Sequence, residues 1–272
     1  MGIRALTVNI GNPSVARARR QLVWLARQDV DVLVLTETKA SAGCELLREA
    51  FTRAGYHVTG AVPVGGGYGA MILSRLPVEV DTLTDAITYL PERVASIIVS
   101  TPAGPLRIAG VYVPSRDASP GKIERKQRFL DTFVVAAGKA AAEMPLVLLG
   151  DLNILEPDHR PRYGFFRPFE YDAYRGLVDG GLVDAFRHLH PSVDEYSWVG
   201  KTGDGYRYDH ALVCTALARH VTSCVYVHAC RTGPEAFTDH SGMALQLAHP
   251  APGRLAVSDP MAQSQSGPDT LF

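Results

Sequence analysis

The chain has 272 residues and a formal charge of −1, with 46% hydrophobic and 20% charged residues. This composition excludes general disorder, and the balanced charge excludes a global basic field that would hold nucleic acid or an anionic membrane. No signal-peptide pattern, no apolar run of roughly 18 residues and no CxxC pair among the four cysteines occur in the sequence. We therefore expect a reduced, cytoplasmic protein without a membrane span.

Hydrophobic periodicity predicts the elements of the first half of the chain. Residues 3–8 are a predicted strand, 14–28 a helix with apolar residues at helical spacing, and 30–35 a strand covered on both faces. A second helix is predicted at about 42–54. Gly and Pro residues then separate four predicted strands, at 56–62, 69–74, 93–100 and 106–113.

The second half begins with a long predicted helix at about 120–143, which Ser119 can cap. A buried strand at 146–149, an irregular stretch at 154–170 and a helix at 170–178 follow. The remaining strands are predicted at 208–214, 224–229 and 242–247. This mixture without a repeat or linker predicts one α/β domain over residues 1–249. The polar, Pro- and Ser-rich tail, 250–272, predicts disorder.

Four acidic residues stand where a predicted buried strand meets a loop: Glu37, Asp151, Asp209 and Asp239. Sites of α/β proteins are usually assembled at such strand ends, although an Asp after Gly is more often a turn former or a helix cap. Asn9 ends the first strand, Asn153 shares the turn of Asp151, and His240 follows Asp239. Hard oxygen ligands without Cys/His metal spacing favour Mg²⁺ (or Mn²⁺) over zinc, and the set suits phosphate ester hydrolysis.

Ten short segments, in order along roughly residues 3–247, carry a resemblance to a known family. They are TVNIGN (7–12), LTETK (35–39), YGAMILS (68–74), PERVASI (91–97), GVYVPS (110–115), LLGDLNI (148–154), GLVDAFRHLHP (181–191), YSW (196–198), YRYDHALV (206–213) and TDHSGM (238–243). Together they resemble the endonuclease/exonuclease/phosphatase superfamily, and within it the exonuclease III branch of AP endonucleases.

The resemblance implies a four-layered α/β (α+β) sandwich, in which two packed mixed β-sheets are flanked by helices. It also implies a metal-dependent phosphoesterase with its site at one edge of the two sheets. Glu37 matches the metal-ligating glutamate, and Asn9 and Asp239 match residues at or near the metal.

The same resemblance implies the catalytic set. Asp151 matches the residue that activates or orients the attacking water, and Asn153 matches its partner in holding the phosphate. His240, paired with Asp209, matches the group that stabilises the transition state, and Tyr112 matches an aromatic hydroxyl near the phosphate. A carboxylate beside His240 would raise its pKa and favour a cationic imidazole near neutral pH.

The substrate is less well determined, because the superfamily acts on DNA, RNA, lipids and small phosphate esters. The leading hypothesis is a monomeric DNA phosphodiesterase that cuts 5′ to abasic sites, digests DNA 3′→5′, or both. The alternative is a phosphatase or phosphodiesterase of small molecules or nucleotides. The balanced charge, the low number of lysines (five) and the segment after Asn153, which differs from that of repair enzymes, favour the alternative. Val199 after the YSW segment stands where repair enzymes often carry another aromatic residue. Candidate substrate-binding residues are Trp198, Arg93, Arg207, Arg116 and Lys122.

Basic residues that could contact a DNA backbone cluster around the start of the long predicted helix; they are Arg116, Lys122, Arg125, Lys126 and Arg128. A basic loop also follows Asp151. It combines Arg160, Arg162 and Arg167 with the interleaved aromatic residues Tyr163, Phe165 and Phe166. Such a loop could grip a DNA backbone and stack a base, or it could be an ordinary solvated surface with aromatic rings tucked beneath it.

Overall fold

The structure is a computed structural model, and it describes residues 2–262. The strands in chain order are β1 (Gly2–Asn9), β2 (Val32–Thr38), β3 (His57–Thr59), β4 (Gly69–Ser74), β5 (Glu79–Val80), β6 (Val94–Thr101), β7 (Gly104–Tyr112), β8 (Leu146–Asp151), β9 (Leu182–Asp184), β10 (Trp198–Val199), β11 (Gly205–Tyr206), β12 (Asp209–Cys214), β13 (Val221–Val227) and β14 (Gly242–Pro250). The α-helices are α1 (Val15–Ala26), α2 (Ala42–Arg53), α3 (Pro120–Glu143), α4 (Pro168–Asp179), α5 (Ala185–Leu189), α6 (Thr215–Ala218) and α7 (Ala229–Thr232). Two 3-10 helices span Leu83–Ala86 and Pro91–Arg93.

The strands form two six-stranded mixed sheets. The first has the order β13-β14-β1-β2-β4-β3, and the second has the order β5-β6-β7-β8-β12-β9. β10 and β11 form a separate two-stranded ribbon. Apolar residues of both sheets share one core, which continues beneath α3 and α4, while a second core lies between the first sheet and α1 and α2. This arrangement confirms the predicted four-layered sandwich.

The two sheets approach closely where Gly110 faces Val34. A Cβ atom at Gly110 would lie 2.5 Å from the Val34 Cγ1 atom, so only glycine fits at this point. On the outer face, α3 buries Phe129 and Phe133, each worth about 2–3 kcal/mol of apolar burial. The helix spans the predicted residues, but Ser119 does not cap it with its side chain. The Ser119 hydroxyl donates instead to Asp117 Oδ1 at 2.6 Å.

The start of the tail, which the sequence predicts to be disordered, packs against the domain as far as Met261. The Arg254 guanidinium donates to Asp31 Oδ1 at 2.7 Å and to Asp29 Oδ1 at 2.9 Å. The backbone N–H of Leu255 donates to the carbonyl of Arg75 at 2.7 Å. The sequence prediction overlooked this part because isolated polar contacts leave no periodic pattern. The last ten residues of the predicted tail lie outside the described residues.

Among residues 2–262, no helix has the length and apolarity needed to cross a membrane.

Candidate active site

Strand direction gathers the polar candidates at one edge of the sandwich. β1 runs parallel to β2, and β7 runs parallel to β8, so the carboxyl ends of each pair meet at the same edge. β12 is antiparallel to β8, so β12 begins where β8 ends. The residues at these ends are Asn9, Glu37, Tyr112, Asp151 and Asp209.

Glu37 leaves the regular ladder of β2 through a local irregularity. The pairing of β2 with β4 shifts between Thr36 and Thr38, which leaves Glu37 as the extra residue, with φ at 59°. A bulge of this kind re-aims a side chain, and a left-handed non-glycine residue often marks a functional site. Burial raises the pKa of Glu37, against the hydrogen bond from Asn9, and the charge of Asp239 raises it further.

Asp151 is held from two sides at the end of β8. Asn9 Nδ2 donates to Asp151 Oδ2 at 2.9 Å, and the backbone N–H of Asn153 donates to Asp151 Oδ1 at 2.9 Å. Gly150 before it has φ at 149°, and a Cβ there would lie 2.0 Å from the Val111 carbonyl oxygen. Burial raises the pKa of Asp151 to about 7, and the charge of Asp209 contributes to the rise.

Asp209 and His240 form the predicted pair. His240 Nδ1–H donates to Asp209 Oδ2 at 2.7 Å, which leaves Nε2 on the opposite side of the ring. Burial opposes the charged imidazole, but Asp209 outweighs it and raises the pKa of His240 to about 10. The imidazolium is therefore the form present at neutral pH, and it is a hydrogen-bond donor at both nitrogens.

The segment that carries Asp239 and His240 is hydrogen-bonded to the loop that contains the YSW segment (196–198), called the YSW loop below. Trp198 and His240 form an isolated antiparallel bridge, and Trp198 Nε1 donates to Asp239 Oδ2 at 2.9 Å. Thr238 Oγ1 donates to the carbonyl of Asn9 at 2.6 Å, which ties the same segment to the end of β1. Asp239 shares an open pocket with Glu37 and Gly11.

Two groups of side chains at this edge have the chemistry to hold a metal. Ligand atoms of Asp151, Asp209 and His240 lie within 4.8 Å of one another. Because His240 is cationic and already bonded to Asp209, this group is better suited to acid–base work than to a cation. Glu37 and Asp239 offer hard oxygen atoms at an open pocket, and the crowding of carboxylates at this edge fits a divalent cation. Asn9 is buried next to them, and its Oδ1 accepts the backbone N–H of Gly11 at 2.9 Å. Asp209 Oδ1, which is buried, has no hydrogen-bond partner among residues 2–262.

Tyr112, the other predicted catalytic residue, pairs with Asp151 in the β7–β8 ladder. Its side chain is buried, and burial together with the charges of Glu37 and Asp151 raises its pKa well above the ordinary value. The Tyr112 hydroxyl is therefore a neutral donor at any working pH. Arg93, predicted to bind substrate, is buried behind it and donates to the Tyr112 carbonyl at 3.1 Å.

The prediction that Arg207 binds substrate is not supported by its position. Arg207 is fully buried, and its guanidinium donates to Glu156 at 3.1 Å and to Asp184. Two carboxylates hold the guanidinium inside the domain, so it cannot reach a ligand at the surface. Arg207 lies two residues before Asp209, and its ion pairs with Glu156 and Asp184 hold this part of the chain inside the domain.

Two residues of the basic cluster at the start of α3, Arg116 and Lys126, are also held inside the fold. The Arg116 guanidinium and Lys126 Nζ both bind the buried carboxylate of Glu170, with Lys126 at 2.7 Å. Lys122 is exposed, but it pairs with Asp117 at 2.7 Å. The sequence shows these charges without their partners, so Arg116 and Lys126 are corrected from phosphate contacts to ion pairs within the fold.

Sequence reasoning missed a column of aromatic rings beside His240. Tyr163 of the basic loop stacks on Tyr206 with ring centres 4.3 Å apart, and Tyr206 stacks on Tyr208 at 5.2 Å. Tyr208 lies 6.4 Å from the His240 ring, and Trp198 flanks the column at 5.4 Å from Tyr206. The Y-R-Y alternation of residues 206–208, which puts both tyrosines on one face, is the signal that could have revealed it. Arg160, Arg162 and Arg167 are exposed on the same loop.

A four-layered sandwich with a carboxylate–histidine pair and clustered carboxylates at one sheet edge defines a hydrolytic phosphoesterase. The family model described as the endonuclease/exonuclease/phosphatase family matches residues 6–240. The chain belongs to this family, whose members are metal-dependent.

Known proteins of similar sequence or structure are nucleases and DNA-processing enzymes. The chain is 23% identical to an exodeoxyribonuclease of Bacillus subtilis over 227 residues, which cover 78% of this chain and 87% of that protein. Among solved structures, a 3′ phosphatase from Neisseria bound to product DNA hairpin matches with a TM-score of 0.76 at 23% identity, over 90% of this chain and 99% of that one. An AP endonuclease from Archaeoglobus fulgidus matches with a TM-score of 0.74 at 23% identity, with the same coverage.

Proposed function

We propose that the protein is a DNA phosphodiesterase that hydrolyses the backbone 5′ to abasic sites, acts as a 3′→5′ exonuclease, or does both. The observation that carries the proposal is the Asp209–His240 pair beside the buried Asp151, at the edge where Glu37 and Asn9 also end their strands. In-line attack by water needs a proton acceptor on one side of the phosphate and donors around its oxygens, and this edge offers both.

In the proposed mechanism, Asp151 orients the attacking water and takes its proton. A carboxylate whose pKa is raised to about 7 is matched to that task near neutral pH. His240 donates from Nε2 to a phosphoryl oxygen while Asp209 holds its Nδ1–H. Asn153 donates one amide hydrogen to the carbonyl of Val113 at 3.0 Å, which leaves the second for the phosphate. Tyr112 offers its neutral hydroxyl near the leaving group.

We assign the metal to Glu37, with Asn9 and Asp239 at or near it, and take Mg²⁺ (or Mn²⁺) as the ion because all the side-chain donors are oxygen or amide groups. A divalent cation at this place would neutralise charge that develops on the phosphate oxygens. Trp198 then has two roles, since it orients Asp239 and presents its ring beside the aromatic column. We further propose that the enzyme is a monomer. We also propose that it works in the reducing cytoplasm, which the four free, buried cysteines favour.

The DNA substrate is supported by the names of the relatives, several of which are exodeoxyribonucleases, and by the exposed arginines of the 154–167 loop. The burial of Arg116 and Arg207 removes two contacts that the sequence had offered to a DNA backbone. This loss favours the second candidate, a phosphatase or phosphodiesterase of nucleotides or other small phosphate esters that uses the same catalytic residues.

The test is cleavage of end-labelled duplexes with and without Mg²⁺. One duplex carries a single abasic analogue, one a recessed 3′ end, one a 3′-phosphate, and one is undamaged; a panel of nucleotides and small esters is assayed in parallel. We expect Mg²⁺-dependent cutting at the lesion or the 3′ end that falls by about 10²- to 10⁴-fold in Asp151→Asn. Asp131→Asn, which changes an exposed carboxylate of α3, is the matched control. Turnover of small esters with all four duplexes intact would replace the DNA proposal with the second candidate.

A further inference from the structure

Four polar side chains form a hydrogen-bonded network behind the YSW loop. None of the four has been given a role in catalysis, metal binding or substrate binding above. His228 Nε2 lies 2.9 Å from Glu195 Oε1, and His228 Nδ1 lies 2.8 Å from Ser241 Oγ. Arg231 Nε donates to the same Ser241 oxygen at 2.9 Å. Ser241 is fully buried, and Glu195 and His228 are partly exposed.

One arrangement of hydrogens satisfies every donor and acceptor in this network. Glu195 has only acceptors, so His228 donates to it from Nε2. Ser241 Oγ already accepts from Arg231, so its own hydrogen is directed to the acceptor at His228 Nδ1. The order Glu–His–Ser is that of a hydrolase triad, but Ser241 is fully buried and therefore cannot serve as a nucleophile. This network of side chains joins segments that are far apart in sequence. Its function therefore depends on the segments that it holds together.

The network holds the segment next to His240 against the loop that supports Asp209. The Ser241 backbone N–H donates to the Ser197 carbonyl at 2.7 Å. Ser197 Oγ in turn accepts the backbone N–H groups of Tyr208 and Asp209, both at 3.0 Å. Glu195 lies two residues before Ser197, so His228 fixes both partners of this contact at once.

A neighbouring residue of the same strand supports the other half of the pair. Tyr226 OH donates to the carbonyl of Asp209 at 2.9 Å. Tyr226 and His228 are two residues apart, and their rings lie side by side, 6.2 Å between centres and 24° between planes. The end of β13 therefore places one ring against Asp209 and the next against Ser241, the residue that follows His240.

We propose that His228, by linking Glu195 to Ser241, is a positioning residue that sets the orientation of His240 relative to Asp209 for phosphoester hydrolysis. The proposal rests on the function proposed above, since it concerns the same site. His228 acts through Ser241 and the YSW loop and does not touch the substrate. A displacement of about 1 Å in a catalytic group can cost on the order of 10²-fold in rate, so a small rotation of His240 is enough to matter.

The experiment compares His228→Ala, His228→Gln and Glu195→Gln with wild type in the full chain. Glutamine keeps one donor and one acceptor at position 228, so it can restore part of the link. His188→Ala changes an exposed histidine of α5 and is the matched control. The assay separates kcat from KM on the best phosphate ester substrate found above, and thermal unfolding reports the folded fraction. The Nδ1–H proton of His240, observed by NMR on ¹⁵N-histidine protein, reports its hydrogen bond to Asp209 without any turnover.

We expect His228→Ala to lower kcat by about tenfold or more, with KM within about threefold of wild type, and to shift or broaden the His240 Nδ1–H signal. His228→Gln should recover most of the lost rate, and His188→Ala should match wild type. Unchanged kcat with an unchanged His240 signal would overturn the proposal. Lower thermal stability with unchanged kcat per folded molecule would also overturn it, because the link would then be structural only.

Failure of the proposed function can be distinguished from failure of this inference. If wild type hydrolyses no phosphate ester, the proposed function fails, and the NMR signal still decides whether His228 controls the His240–Asp209 bond. If His228→Ala does not fold, Glu195→Gln supplies the comparison, because it weakens the link to His228 and leaves a side chain of the same size.

Discussion

Asp209 and Asp151 lie directly opposite each other on neighbouring antiparallel strands, at the edge where both strands meet the site. Both carboxylates are buried, and Asp209 is directly hydrogen-bonded to the cationic His240. Burial and the facing charge of Asp209 raise the pKa of Asp151 to about 7, whereas Asp209 accepts a hydrogen bond from the His240 imidazolium. In the proposed mechanism, two like residues therefore take different roles because of their neighbours, Asp151 as the proton acceptor and Asp209 as the partner of a cation.

The first prediction follows from this division of roles. Asp209→Asn keeps the shape of the side chain but removes the anion that favours the His240 imidazolium, so we expect kcat to fall by about 10²-fold or more. The measurement is single-turnover cleavage of the substrate identified with the duplex panel. Asp131→Asn serves again as the control, and a rate for Asp209→Asn close to that of wild type would refute the assigned role of the pair.

Arg207 provides the second prediction, because its burial changes the effect expected of a mutation. Removal of the guanidinium leaves Asp184 buried without its main cation, while Glu156 keeps its ion pair with Arg187, and breaking such a buried pair costs about 3–5 kcal/mol. We expect Arg207→Ala to lower the free energy of unfolding by that order in urea denaturation. Arg175→Ala, at an exposed pair with Asp172, should change it by less than about 1 kcal/mol.

The result would also decide between the two roles considered for Arg207. If Arg207→Ala has wild-type stability but a raised KM for substrate, the buried network does not describe its role, and a contact with substrate does.

The sequence was most informative where hydrophobic runs end in polar residues. A run such as LVLLGD indicates a buried strand, and the residue that ends it must lie at a sheet edge, so Asp151 could be placed before the structure was known. Four short strands, β5, β9, β10 and β11, were missed, because periodicity needs a longer window. Leu182–Asp184 is one of these, and it carries a carboxylate that holds Arg207.

Charge was the least reliable guide to the site. Arg116 and Lys126 look like phosphate contacts in sequence, but Glu170, more than forty positions away, binds both. Such a long-range pair has no local signature, and neither does the contact of Trp198 with Asp239. The bulge at Glu37 was also invisible, since it depends on the register of β2 against β4.

His159 leads to a prediction about pH. It is buried at the base of the 154–167 loop, where Nδ1–H lies 3.1 Å from the Pro161 carbonyl and Nε2 accepts the backbone N–H of Arg207. Burial lowers the pKa of His159 below the ordinary 6.5. The folded protein therefore binds this proton less readily than the unfolded chain, so its contribution to stability is complete above about pH 6.5 and is lost as the pH falls through the lowered value.

The measurement is the free energy of unfolding in urea at pH 7.5 and at pH 5.5, for wild type and His159→Gln. The glutamine amide can keep both hydrogen bonds, but it does not titrate. We expect the difference between the two proteins to shift in favour of the variant at pH 5.5. A difference that is the same at both pH values would show that His159 is not held neutral by the fold.

The segment after β14 supports a prediction about truncation. A chain that ends at Pro250 loses Arg254, which is paired with the buried Asp31, and the backbone contact of Leu255. We expect such a chain to be less stable by about 1–2 kcal/mol but to keep its kcat, because no residue of the candidate site lies beyond β14. A chain that ends at residue 262 is the control and should match the full chain in both thermal unfolding and rate. Loss of kcat in the shorter chain, measured per folded molecule, would mean that the segment contributes to the site.

Trp198 supports a final prediction, which separates metal binding from catalysis. Trp198→Phe keeps an aromatic ring beside Tyr206 but removes the N–H that donates to Asp239 Oδ2. Groups that orient a metal ligand typically contribute about 10- to 100-fold to metal affinity, so the Mg²⁺ concentration for half-maximal rate should rise within that range. Tyr196→Phe is the control, because it removes a hydrogen bond from the same loop to the Arg160 carbonyl and leaves Asp239 untouched. An unchanged Mg²⁺ midpoint in Trp198→Phe would mean that Asp239 does not hold the metal, and would confine the metal to Glu37 and Asn9.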